Sequence, residues 1–341
     1  MLILRPVAPE DLGDLIALAN RLDSVNLPDD REFLEARIQA SMRSFAGLLH
    51  TSETGVFIFV LEDSEKKRCI GTSLILAKNG VPGTPYYWFE CSSEERRSVE
   101  LDKRFVHTKL RLCSTEDGPS EIGGIILDPE YRGHPQKCGK ALSIVRFAYM
   151  SLHPDAFERE VIAEMLSPFE ESGENLLWEA FGARFTGLPF READHLSARD
   201  KSFIADLFPR DPVYTTLFPE NVQAVIGQPN ESAVAALRIL EKVGFRALNQ
   251  VDPFDGGPYY GAARDAITSV RERRELILSS SSREEENDCM GPLALLSAES
   301  TAGFRATVVP LDDEGAPRVD KRCREALGVD AGDRVAITPL P

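Results

Sequence analysis

Apolar positions in the first third of the chain alternate between two periods. Leu2–Val7 reads as a strand, and Leu12, Leu15, Leu18, Ala19 and Leu22 then recur at helical spacing behind Pro9-Glu10-Asp11, whose acids suit a first turn. Leu34, Ile38, Met42 and Phe45 predict a second helix, after which Gly55–Glu62 and Cys69–Ala77 predict two strands joined across the polar Asp63–Arg68 turn. Ile122–Leu127 is a third strong strand, ended by Asp128-Pro129-Glu130-Tyr131. Lys140–Leu152 follows as a helix through Leu142, Val145, Phe147 and Tyr149. Val161–Met165 predicts a short strand, and Glu174–Phe181 a helix that stops at Gly182 before a strand opening with Ala183-Arg184-Phe185. The fold class this predicts is mixed α/β (α+β).

The plan helix–Gly–aromatic around Trp178 and Gly182 returns around Leu237, Gly244 and Phe245, which suggests a second, related half. Ser279–Ser282 and the charged run to Asp288 bury no apolar area and read as a linker. The expected division is therefore 1–195, 196–278, a linker over 279–303, and a small β-rich module over 304–341. That module has strands at Phe304–Leu311 and Arg334–Pro341 around a helical Arg318–Leu327.

Composition and charge narrow the classes. The hydrophobic fraction of 43% and the charged fraction of 28% are those of an ordinary globular chain. A net charge of −16 repels phosphate backbones and anionic bilayers, so neither nucleic acid nor a membrane is an expected partner. The six cysteines stand singly with no Cys-x-x-Cys pair, which fits reduced thiols and gives no zinc or dithiol motif. The apolar start reaches Arg5 and Pro6 at once and no window approaches a membrane span, so the expected location is cytoplasmic.

Chemistry concentrates after the Ile122–Leu127 strand. Gln136-Lys137-Cys138-Gly139-Lys140-Ala141 at a strand–helix junction resembles the acyl-CoA motif Gln/Arg-x-x-Gly-x-Gly/Ala of the GNAT N-acyltransferases. The physical logic is that backbone N–H groups at a helix N-terminus receive a diphosphate, with Arg132, Lys137 and Lys140 adding charge. The same residues also suit a polar surface turn. In GNAT-type sites the pantetheine arm pairs like an added strand, which here gives Ile125, on Gly124–Leu127, main-chain contacts to the donor. Ile125 is equally a core strand residue.

Blocks along essentially the whole chain resemble one family, the arginine N-succinyltransferases. They include Arg5-Pro6-Val7, Leu127-Asp128-Pro129, Ala163-Glu164-Met165, Val225-Ile226-Gly227-Gln228 and Phe254-Asp255-Gly256-Gly257-Pro258. The resemblance implies tandem GNAT-like domains and transfer of succinyl from succinyl-CoA, a co-substrate rather than a resident cofactor, to the α-amine of L-arginine. A homo-oligomer or a hetero-oligomer with a related subunit is expected. The C-terminal module resembles a swapped-hairpin AbrB-type barrel in structure only, because six basic against seven acidic residues leave it no basic face.

One block departs from the family. A proton-transfer histidine stands there in Gly-Gln-Val-His-Pro, where this chain has Gly227-Gln228-Pro229-Asn230-Glu231. An amide does not shuttle protons at neutral pH. Asn230 is left to orient a carbonyl or water, or to cap the helix over 232–243. His50, His107, His134, His153 and His195 all lie outside the block. Glu164, at its strand end, is the alternative base, with a structural role equally open. Asp255 is the candidate carboxylate for a guanidinium, or else a residue of an Asp-Gly turn between strands. Arg146, Lys103 and Arg104 stand level as partners for the succinyl carboxylate. No metal site is expected. Two other functions remain open: N-acylation with a different amine or acyl-CoA, and a non-catalytic subunit paired with an active relative.

Overall fold

The computed structural model describes residues 1–22, 30–48, 54–197, 201–279, 291–301 and 303–341. No helix among them is long and apolar enough to cross a membrane. Among these residues fourteen strands form one mixed sheet in the order β11-β14-β12-β13-β1-β2-β3-β6-β7-β10-β9-β4-β5-β8. The strands are β1 (Leu2–Pro6), β2 (Val56–Asp63), β3 (Arg68–Leu76), β4 (Tyr86–Ser98), β5 (Lys103–Thr115), β6 (Ser120–Leu127) and β7 (Glu160–Glu164). The remainder are β8 (Val213–Tyr214), β9 (Arg246–Val251), β10 (Pro258–Ala263), β11 (Arg274–Ile277), β12 (Leu293–Ser300), β13 (Gly303–Pro310) and β14 (Arg334–Pro339).

Period-two burial explains the layers. Phe57, Phe59 and Leu61 of β2 face the helix α3 (Cys138–Leu152), and Val60 faces α1 (Leu12–Leu22) and α2 (Arg31–Phe45) on the other side. α3 is buried along most of its length, with Leu142, Ile144, Val145 and Phe147 all inaccessible. A second core collects Phe89, Trp178, Phe181, Phe208 and Phe254 under β4 and β9, with Trp178 stacked on Phe254 at 5.2 Å and 4°.

Two expectations are corrected, and one hairpin adds to what was expected. Gly182 does not end a helix: Trp178–Gly182 is a π-helical turn that continues into Ala183–Thr186, so no strand opens at Ala183. A Cβ at Gly182 would lie 2.3 Å from the Trp178 ring, so this glycine serves close packing and not a C-cap. The echo around Gly244, which has φ +111, is therefore a different device. Within the span expected as a linker, Leu293–Ser300 is a strand that pairs along its whole length with β13; residues 280–290 and 302, with the charged run in the first of them, lie outside the described residues. Finally, β4 and β5 form a hairpin of two thirteen-residue strands that hydrophobic periodicity does not reveal, because the outer half of β4 is Ser, Glu and Arg alone and that of β5 sets Phe105 and Val106 side by side without alternation.

Candidate active site

The sheet opens between β6 and β7. β6 and β7 are parallel and pair only at Ser120–Val161 and Glu121–Ile162, so from Gly123 onward β6 is bonded on its β3 side alone. The register against β3 slips between Thr72 and Leu74, and Gly124 takes φ +58, the bulge that turns β6 away from β7. The Thr72 hydroxyl donates to the Gly124 carbonyl at 2.9 Å and fixes the kink. Ile125 sits on this open edge, where its main chain is free to pair with an extended ligand.

β6 leads into the expected phosphate loop. Asp128 accepts from the Glu130 amide at 3.1 Å and from the Arg68 guanidinium at 2.6 Å, which anchors the strand end. Gly133 and Lys137 both take positive φ, 74° and 51°, and swing the chain into α3. The first intrahelical bond runs from the Ala141 amide to the Lys137 carbonyl at 3.0 Å, so the Cys138, Gly139 and Lys140 amides precede it and point out of the helix end. Arg132 and Lys137 are exposed, and Gly139 and Lys140 lie at the surface of the turn. Lys140 contacts the Pro341 carbonyl, and burial with the nearby charges of Lys242 and Lys137 lowers its pKa. Cys138 and Ala141 face the core, where burial pushes the Cys138 thiol up to about 11. Their part in a phosphate site is thus limited to backbone.

Across the opening stands a group of carboxylates. Ligand oxygens of Glu164, Asp252 and Asp255 lie within 4.8 Å of one another. Glu164 ends β7 opposite Tyr259 of β10, and Asp252 and Asp255 belong to the turn from β9 to β10. The Tyr259 hydroxyl is 3.3 Å from Glu164 Oε2 and 3.2 Å from Asp252 Oδ2. One phenol proton cannot satisfy two ionised acceptors, so the arrangement is complete when one carboxyl carries a proton. Burial and the neighbouring charges of Asp252 and Asp255 accordingly hold the Glu164 pKa well above its usual range. Burial likewise raises Asp252 and, on β6, Glu121, with Lys201 opposing both shifts.

Asp255 is 3% exposed, and its oxygens accept from the Ser167 amide at 2.8 Å and the Gly257 amide at 2.7 Å. It clasps the β9–β10 turn to the chain after β7, the turn role that spacing left open. Burial, then Asp252, raises its pKa to about 7. Gly257 leaves no room for a side chain, since a Cβ would meet the Met165 carbonyl at 2.2 Å. Asn230 accepts from the Ser232 amide at 2.9 Å, which makes it the cap of the turn Glu231–Ala233 ahead of the helix Val234–Lys242. Its backbone N–H donates to Leu166 O at 2.7 Å and its Nδ2 to Ser167 O at 3.4 Å, so it borders the Asp255 clasp.

The structure therefore brings Glu164, Asp255 and Asn230 to one end of β7, and Ile125 with the loop 132–141 to the other side of the opening. Sequence reasoning missed Glu121, Asp252 and Tyr259. A signal existed for the first two: Glu121 directly precedes the apolar run Ile122–Leu127, and Asp252 and Asp255 bracket a turn. Lys103 and Arg104 lie far out on the β4–β5 hairpin, Arg104 paired with Glu95 at 2.6 Å, while Arg146 is buried beside Gly123. His50 lies outside the described residues. His107 contacts Thr216 and His153 contacts Glu299, neither at this site.

Comparison with known proteins settles the family. The model of the arginine N-succinyltransferase beta subunit matches residues 2–269, and that of its C-terminal domain matches residues 274–339. The chain belongs to the arginine N-succinyltransferase family. Arginine N-succinyltransferase of Yersinia pseudotuberculosis serotype O:3 (strain YPIII) is 35% identical over all of this chain and 98% of its own length. Its counterpart in Citrobacter koseri is 34% identical over the same shares. Among solved structures, arginine/ornithine succinyltransferase subunit AI from Pseudomonas aeruginosa superposes with a TM-score of 0.84 at 30% identity, covering 100% of this chain and 99% of that one. As a member of this family the chain is an acyltransferase.

Proposed function

We propose that this protein transfers succinyl from succinyl-CoA to the α-amine of L-arginine. The observation that carries the reading is the opening between β6 and β7, flanked by a helix N-terminus on one side and a carboxylate cluster on the other, in a chain that matches the arginine N-succinyltransferase family along its length. The donor diphosphate sits on the Cys138, Gly139 and Lys140 amides with Arg132, Lys137 and Lys140 around it, and the pantetheine pairs with Gly124–Leu127 through Ile125. The cationic acceptor enters from the carboxylate side, where Glu121, Asp252 and Glu164 supply the negative charge and Asp255 holds the turn that presents Asp252.

Glu164 takes the ammonium proton, because a carboxylate with a raised pKa is a competent base near neutrality. The neutral amine attacks the thioester carbonyl, the C–N bond forms, the C–S bond breaks and the thiolate leaves with a proton. Asn230 keeps the edge of the site in shape and moves no proton. Succinyl-CoA is a co-substrate, and the scheme calls on no resident cofactor or metal.

The fold reading extends in the same way. Tandem GNAT-like halves belong to the same proposal, although each of the two cores, one around α3 and one around Trp178 and Phe254, draws on both expected halves. The antiparallel set β11-β14-β12-β13 with the helix Lys321–Leu327 supports an AbrB-like module. Association into a homo-oligomer, or with a related subunit, belongs to the same proposal. The deciding experiment is thiol release from succinyl-CoA with arginine, ornithine, lysine or no acceptor. Arginine-dependent release is expected; release indifferent to acceptor, or none, overturns the reading.

A further inference from the structure

On the face of the sheet that carries α3, one cation lacks a counter-charge. Arg146 is 1% exposed; its Nε donates to Ser143 O at 3.1 Å, one terminal nitrogen donates to Ser143 Oγ at 3.0 Å, and the other reaches Gly123 O at 3.5 Å. No carboxylate pairs with it among the described residues, and burial alone lowers its pKa to about 9. Burying a guanidinium without an anion is unfavourable, and an apolar residue would pack this helix better. Its cost is recovered when a ligand brings the anion.

The position fits such a ligand. Gly123 lies two residues beyond the last β6 pair with β7, at Glu121, and its carbonyl is the point where the Arg146 guanidinium reaches the opening. A donor with its diphosphate at the start of α3 and its pantetheine along Leu127 to Gly124 travels about 13 Å at the rise of a strand, and its acyl group arrives at Gly123. Ile122, Val161 and Ala163 pack with α3, whereas Ile162 and Tyr259 pack in a separate cluster with Tyr86. By strand alternation Glu121 and Glu164 therefore lie on the face opposite Arg146. Negative groups face the acceptor and a positive group faces the acyl tail.

We propose that Arg146 binds the terminal carboxylate of the acyl group and so selects a dicarboxylic over a monocarboxylic acyl-CoA. The inference rests on the acyl-transfer reading above and deepens it. Lys103 and Arg104, on the distant hairpin, have no such access to the opening.

The test compares succinyl-CoA with butyryl-CoA, which has a methyl in place of the carboxylate, in the unmodified protein, Arg146→Met and Arg146→Lys. Two readouts are taken: kcat/KM with arginine, and calorimetric binding of each donor without acceptor. The unmodified protein is expected to favour succinyl-CoA at least 100-fold, and Arg146→Met to lose that preference while butyryl-CoA is used as well as before. A merely structural role, holding the Gly123 bulge, would move both donors alike and leave the ratio unchanged, which overturns the proposal. Should Arg146→Met fail to fold, Arg146→Lys reads the same ratio: a preference cut ten-fold or more supports the proposal, and an unchanged one overturns it. If arginine is not acylated from either donor but succinyl-CoA still binds more tightly and the preference falls in the variants, the carboxylate site stands and the acceptor assignment falls.

Discussion

The two sides of the β6–β7 opening are built in opposite ways. The donor side is one continuous stretch, Gly123 to Ala141, in which strand, bulge, turn and helix end follow one another and present mostly backbone. The acceptor side is assembled from Glu121, Glu164, Asp252, Asp255 and Tyr259, side chains delivered by four segments: Tyr259 bridges Glu164 and Asp252, Asp255 is held by the Ser167 and Gly257 amides, and Glu121 by Asn79. A backbone site tolerates side-chain change so long as the chain keeps its path. A side-chain site depends on each member, and its charges are coupled.

Substitutions on the two sides should therefore differ in size. Glu164→Gln removes the proton acceptor and should lower kcat by roughly 10²–10⁴-fold, the usual contribution of a positioned base. In the unmodified protein kcat should rise with pH as Glu164 loses its proton, and the variant should lose that rise. A rate and pH profile equal to those of the unmodified protein would remove Glu164 from the mechanism.

Asp255 tests the supports of the acceptor side. Asp255→Asn turns an acceptor towards a donor at Ser167 or Gly257, so unfolding at neutral pH should cost about 1–3 kcal/mol less, read from denaturant melts. The sign of the pH effect is set by its raised pKa. Folding raises it from 3.8 to about 7, so the native state holds the proton more tightly, and this group's stabilisation is full below about pH 4 and lost as pH rises to about 7. The free protein should thus lose melting temperature across that window, with arginine at saturation flattening the slope by favouring the ionised cluster. A slope unaffected by arginine would show that the cation binds elsewhere.

On the donor side, Arg132→Ala or Lys137→Ala should raise KM for succinyl-CoA several-fold and leave kcat in place, since each contributes one exposed charge to a ligand held by backbone. A loss in kcat as large as that of Glu164→Gln would erase the contrast between the sides. Smallest of all, Asn230→Ala should cost about 1 kcal/mol of stability through the lost cap with turnover nearly unchanged. Restoration of a histidine, Asn230→His, should not raise the rate; a marked gain would return proton transfer to that position.

The same contrast explains how much was legible in the sequence. β6, the loop after it and α3 follow from periodicity and a six-residue motif, because contiguous residues carry contiguous structure. The outer half of the β4–β5 hairpin carries no hydrophobic alternation, since it leaves the body of the sheet, so only its pairing reveals it. Gly182 misled because a glycine before an aromatic looks like a helix stop, and only the Trp178 ring above it explains its presence. Glu164 was reachable from its place at a strand end. Tyr259 was not, because its role arises from the pairing of β10 with β7, nearly a hundred residues away in sequence.

The place of β1 in the sheet has a consequence for synthesis. Its neighbours are β2, which follows within sixty residues, and β13, which is made some three hundred residues later; Leu4 pairs with Leu61 on one side and with Ala306 on the other, and the Thr307 hydroxyl donates to the Leu2 carbonyl. At roughly 5–20 residues per second, one edge of β1 stands open on the ribosome for on the order of 15–60 s. A nascent chain halted before β13 would expose that edge to other chains, so the last seventy residues act as the cover of the first strand.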